Sequence, residues 1–166
     1  MGILENKSVK WQPYLWKQSH PASLRDIERV ETALELRFPK DYRVVAIQHQ
    51  GEVPQQNLFD FVEKGQQTTS VMGVLFHFLE DKSEAGYYSY NLLENYRNRQ
   101  HLLPAQIIPF SEDPAGNSIA FDFRKATKNP SIVFVNHEAI DEVNKIVEIA
   151  TNFSEFQNFL YEDTNS

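Results

Sequence analysis

The sequence predicts an α+β fold: a single domain in which helices pack on an antiparallel sheet of about six strands. Three observations carry that expectation. Apolar residues recur at spacings of three and four through residues 23–51, the period of an amphipathic helix. Short runs of aromatic and β-branched residues, split by turn chemistry, then fill the middle and the C-terminal half. The connections between those runs are too short for a parallel crossover, which needs about a dozen residues or more.

The elements follow in order. In "SLRDIERVETALELRF" Leu24, Ile27, Val30 and Leu34 form the apolar stripe, with charges on the opposite side. Ser23 is placed to cap this helix, and Asp26 to return the bond as in a capping box. Pro39 ends it and can open the next helix, "PKDYRVVAIQHQG", where Gly51 stands in the C′ position. "NLFDFVE" and "VMGVLFHFL" read as strands around the turn "EKGQQ". "YSYNLLENYRNRQHLL" returns to helical spacing through Leu92, Leu93 and Tyr96 and is closed by Pro104. Four strands follow, "QIIPF", "SIAFDF", "SIVFVN" and "KIVEIA", with turn residues in "EDPAGN" and "RKATKNP". The last element, "TNFSEFQNFLYE", is a helix capped by Asn152. Glu155 can reach back there, and Phe153, Phe156 and Leu160 face inward.

Composition narrows the function classes. A chain of 166 residues can bury about 70% of its unfolded surface, so it folds without staples. It has no cysteine, which removes disulfides, thiolate zinc sites and a cysteine nucleophile together and fits a reducing compartment. The first twenty residues lack a continuous apolar stretch, so no signal peptide is expected; Asn6 stands where a myristoylation signal wants Ser or Thr. No run of 18 apolar residues occurs, so no membrane span is expected, and the reading is a cytoplasmic protein. The net charge of −7 and the absence of a basic run argue against nucleic-acid binding. An acidic chain suits a basic partner, whose approach its field accelerates.

Catalytic constellations are not legible. His20, His49, His77, His101 and His137 include no pair at the spacing of four that a helical zinc site uses. There is no Gly-x-Ser-x-Gly elbow, and the six glycines are scattered singly, so no phosphate loop forms. No catalytic residue, metal or cofactor is expected. The most unusual stretch is "IIPFSEDPAGNSIAFDF", residues 107–123. Pro114, Gly116 and Asn117 are residues a tight turn requires. Glu112, Asp113 and Asp122 could chelate a hard cation, yet their spacing matches no EF-hand loop. Alternation in the second strand puts Ile119, Phe121 and Phe123 on one face, with Ser118, Ala120, Asp122 and Arg124 on the other. Aspartate is depleted in strands, so Asp122 is expected to have a fixed partner in the loop or in a nearby basic side chain.

Several segments together resemble the SUKH superfamily, in its Smi/Knr-like branch. They are "IERVETALELRFPKDYRVVAIQHQGEVP", the "IIPFSEDPAGNSIAFDFR" hairpin and "FSEFQNFL". The family's Leu-Pro-x-Asp-Tyr step is matched by Phe38-Pro39-Lys40-Asp41-Tyr42, with phenylalanine for leucine. Its Asn-Gly-Gly helix end becomes Gln50-Gly51-Glu52, and its Gly-Asn hairpin with a later Asp becomes Gly116-Asn117 and Asp122. The resemblance implies a SUKH-like domain over residues 23–162 behind an N-terminal extension of residues 1–22. It further implies that bacterial relatives are immunity proteins, which bind and neutralise a polymorphic toxin, often a nuclease. Fungal relatives are regulators of cell-wall synthesis that also act by binding, usually with long disordered flanks. Partner-binding candidates are then Glu52 at the helix end, Glu112 and Asp113 at an exposed loop tip, and Asn117 and Asp122 of the hairpin. A small hydrolase using Asp113, Asn117 and Asp122 is the weakest alternative, because it lacks a base–nucleophile pair.

Overall fold

A computed structural model describes residues 9–83, 86–125, 128–139 and 145–164. The Met-Gly start and the centre of the "RKATKNP" turn lie outside these residues. The fold class read from the sequence holds: helices pack on antiparallel sheets. Among the described residues the strands are β1 (Trp11–Pro13), β2 (Glu52–Pro54), β3 (Leu58–Glu63), β4 (Gln66–Val71), β5 (Ile107–Glu112), β6 (Ser118–Asp122), β7 (Ser131–Val135) and β8 (Ile146–Ala150). The helices are α1 (Leu24–Leu34), α2 (Lys40–His49), α3 (Tyr87–Tyr90), α4 (Leu92–Arg99) and α5 (Phe153–Phe159).

The helix ends form as their residues dictate. The Ser23 hydroxyl accepts the Asp26 amide, and the Asp26 carboxylate accepts the Ser23 amide, so the capping box closes. Ile27 and Val30 are buried, but Leu24, in the first turn of α1, lies 51% exposed. At α5 the Asn152 side chain accepts the Glu155 amide, while Glu155 reaches one residue further back, to the Thr151 amide. Gly51 follows α2 with φ +76°, the left-handed conformation expected at C′.

The strands divide into a four-stranded meander, β5-β6-β7-β8, and two ribbons, β1-β2 and β3-β4. The β1-β2 ribbon is invisible in the sequence, because three residues are too few to show alternation. "VMGVLFHFL" departs from the sequence reading. The strand that pairs with β3 is the polar Gln66–Val71, and residues 72–78 instead run along the outer edge of β5. They bond to it through the Gly73 amide on Glu112 O (2.9 Å) and the Phe76 amide on Phe110 O (3.0 Å). A regular ladder cannot form there. Pro109 has no amide to donate, and β5 carries a bulge between Pro109 and Ser111.

Both faces of the meander bury apolar side chains. Ile119, Phe121 and Phe123 enter the main core, with Tyr42 at 4.8 Å and Phe110 at 4.7 Å from the Phe121 ring. Ala120 enters a second, smaller cluster with Ile107, Val133 and Val135. Residues read as an N-terminal extension join the fold: β1 pairs with β2, and the Trp16 ring lies where a Cβ on Gly51 would stand, 2.2 Å away.

Candidate functional site

The hairpin pairs as the sequence predicts, with Ile107 opposite Asp122 and Glu112 opposite Ser118. Its loop is held from three sides. Asp113 Oδ1 accepts the amides of Ala115 (3.0 Å) and Asn117 (2.8 Å), and its Oδ2 accepts the Asn117 side-chain amide (2.9 Å) and the Ser70 hydroxyl (3.0 Å). Asn117 Oδ1 in turn accepts the His137 amide at 3.0 Å. Arg99 of α4 donates to Gly116 O (3.2 Å), to Ser118 Oγ (3.2 Å) and to Glu112 Oε2 (2.9 Å). Gly116 supplies the φ of +89° that the turn requires. The loop is a rigid, charge-stitched corner.

That geometry corrects one expectation. Asp113 is not at an exposed tip: it is only 8% exposed, because a carboxylate accepting four bonds must sit among its donors. Glu52 is buried as well. It pairs with His49 Nδ1 at 2.9 Å, and Trp11 stacks on the same imidazole at 5.4 Å. Glu112 is half-buried. Burial pushes its carboxyl up, Arg99 opposes that shift, and the neighbouring Asp113 adds to it.

Asp122 has the basic partner expected of it. Arg124 forks onto both carboxylate oxygens, at 3.0 and 2.9 Å, and its amide adds a third bond at 3.0 Å. Burial raises the Asp122 carboxyl, but the bonds and charge of Arg124, helped by Lys125, outweigh it and hold the group below the usual range. Asp122 stands at the far end of β6 from the loop, about 13 Å along the strand from Ser118 at about 3.3 Å per residue. It is therefore not gathered with Asp113 and Asn117, and the hydrolase triad is not assembled. Among the described residues, no group of three or more His, Asp or Glu side chains is placed to hold a metal ion.

The structure adds residues that sequence reasoning missed. Tyr14, Val53, Gly73, Val74 and Tyr90 join Glu112, Asp113 and Pro114 around a cleft of about 270 Å³. Tyr14 is 59% exposed and meets Tyr90 edge-on, with ring centroids 6.4 Å apart. Burial, the Tyr14 hydroxyl and Glu112 all push the Tyr90 phenol up. The one sequence signal was the density of aromatic residues in "WQPYLW", but nothing in that segment says which surface it meets.

Among the described residues no helix is long and apolar enough to cross a membrane. No curated protein matches the chain. The family comparison agrees with the ordered motifs, the α+β meander and the Gly116-Asn117 hairpin. The match to the SMI1 / KNR4 family (SUKH-1) runs over residues 21–158, most of the chain, and the protein belongs to that family, within the immunity-protein superfamily.

Proposed function

We propose that this is a bacterial immunity protein that acts in the cytoplasm without turnover, binding a cognate toxin domain and covering its working surface. A nuclease is the toxin class that fits best. Such an enzyme must present cationic surface to hold phosphates, and an acidic binder with a net charge of −7 is attracted to that surface and excludes the substrate. Family membership supports a protein partner, and the observation that carries the reading is the corner built by the β5–β6 loop. It is fixed before binding by Asp113 and Arg99, and it displays a half-buried carboxylate beside exposed aromatic surface. Preorganised aromatic and charged groups around a concavity are the usual hot-spot chemistry of protein interfaces.

Within this reading the candidate residues take different parts. Glu112 presents charge to the partner. Asp113 and Asn117 hold the loop that carries it, and Glu52 fixes the β1-β2 ribbon beneath. Asp122, at the other end of β6, contributes to the rim. The binding domain spans residues 23–162, with residues 9–22 docked on it. The test expresses the toxin domain encoded beside this protein in sensitive cells, with and without the protein. Survival only in its presence, with a purified one-to-one complex tighter than micromolar (about −8 kcal/mol), is the expected result. Equal death in both cases, with no complex at micromolar concentration, refutes immunity and leaves the regulatory binding role of the fungal relatives.

A further inference from the structure

The cleft beside the β5–β6 loop has an unbalanced lining. Two tyrosines and two carboxylates border it, and no lysine, arginine or histidine does. Asp113 is spent on the loop, accepting four bonds. Glu112 is different. Its Oε2 takes one bond from Arg99, which does not line the cleft, and a carboxylate offers about four acceptor sites across its two oxygens. Gly73 lets its segment lie close against β5, since a Cβ there would stand 2.6 Å from the Glu112 carbonyl oxygen. The walls come from segments far apart in the chain, at residues 14, 53, 73, 90 and 112: Val53, Tyr90 and Glu112 sit in regular elements, the Gly73 amide bonds to Glu112 O, and Tyr14 directly follows β1.

We propose that this cleft receives an arginine side chain of the partner, its guanidinium stacked on Tyr14 and donating to Glu112. This rests on the immunity reading for the identity of the partner. Arginine fits better than lysine because its planar fork stacks on an aromatic face and can still meet a carboxylate edge-on, whereas an ammonium is a hydrated point charge. The exposed Tyr14 ring is available for that stacking, and the half-desolvated Glu112 strengthens any new cationic contact.

The test titrates the 15N-labelled full chain with acetyl-Gly-Arg-Gly-amide, and with the Lys and Gln peptides as controls. Expected are saturable amide shifts at Gly73, Tyr90, Glu112 and Asp113 with the arginine peptide, on the order of millimolar affinity. They should be weaker with lysine, absent with glutamine, and lost in Tyr14→Ala and Glu112→Gln. Tyr14 is exposed enough that its variant keeps the fold, which a thermal melt checks independently. Equal shifts with the arginine and glutamine peptides, no shifts at all, or shifts that survive Tyr14→Ala would overturn the proposal. Against the cognate toxin domain, each variant should bind about tenfold more weakly. Unchanged affinity of both variants sinks the cleft while immunity stands. A wild-type chain that binds no toxin sinks immunity, and the peptide arms still decide the cleft.

Discussion

Replacing Asp113 by alanine tests whether the hairpin corner is held by this one carboxylate. The substitution strands three donors: the amides of Ala115 and Asn117, and the Asn117 side-chain amide. The Ser70 hydroxyl can turn elsewhere. At about 1 kcal/mol for each unmatched donor the loss is about 3 kcal/mol. For a domain of this size that corresponds to a fall in Tm of about 6–12 °C, towards the lower end because water at the loop tip restores part of it. Asp113→Asn is the informative companion. Its carbonyl can still accept both backbone amides, and only the Asn117 side chain would face another amide nitrogen. The cost should then be about 1 kcal/mol, or about 2–4 °C. Calorimetry of the wild type and both variants at neutral pH measures this directly. An alanine variant within about 1 °C of wild type, or one no worse than the asparagine variant, would refute the reasoning.

Two further outcomes follow from the same geometry. Gly51→Ala should destabilise by about 2 kcal/mol or more, because φ is +76° and the new Cβ would collide with the Trp16 ring; removing that ring in Trp16→Ala should recover part of the loss in a double-mutant cycle by urea unfolding. Asp122→Asn should cost at most about 1 kcal/mol at pH 7, since Arg124 is partly exposed. Its pH dependence has a definite sign. The folded carboxyl lies below its ordinary value, so the stabilisation is present above the unfolded pKa and is lost as pH falls through the folded one. The gap between wild type and variant should therefore be full at pH 7 and closed below the usual aspartate range; a gap that persists unchanged into strong acid contradicts the ion-pair account.

Much of the fold was legible because local chemistry set it. Ser23 with Asp26, Asn152 with Glu155, and Gly51 and Gly116 at their positive φ all act within a few residues. The partner of Asp122 was legible for the same reason, being two residues away. Readings failed where distant segments decide. Asp113 looked like an exposed tip because Ser70, which covers one of its oxygens, is 43 residues away. Glu52 was read only as a candidate at a helix end, because the Trp11 ring that stacks on its His49 partner is 38 positions from that histidine in sequence. The cleft could not be read at all, since Tyr14, Gly73 and Tyr90 share no local pattern.

The bulge in β5 decides where a charge goes. Ile108 lies opposite Phe121 and Ser111 opposite Ile119, both on the side of the main core, so the residue between Pro109 and Ser111 shifts the parity of everything after it. If the same residues alternated regularly with no bulge, positions 108, 110 and 112 would share one face, and Glu112 would point among the phenylalanines of the main core, where an uncompensated carboxylate is costly. With the bulge, Glu112 turns to the opposite side, where Arg99 reaches it. The strand thus exports its acid by miscounting once. Deleting Phe110, the bulged residue, would leave Ser111 opposite Ile119 and Glu112 opposite Ser118, so the carboxylate would keep its side while the main core lost a phenylalanine, whereas Glu112→Gln removes the charge and leaves that core intact.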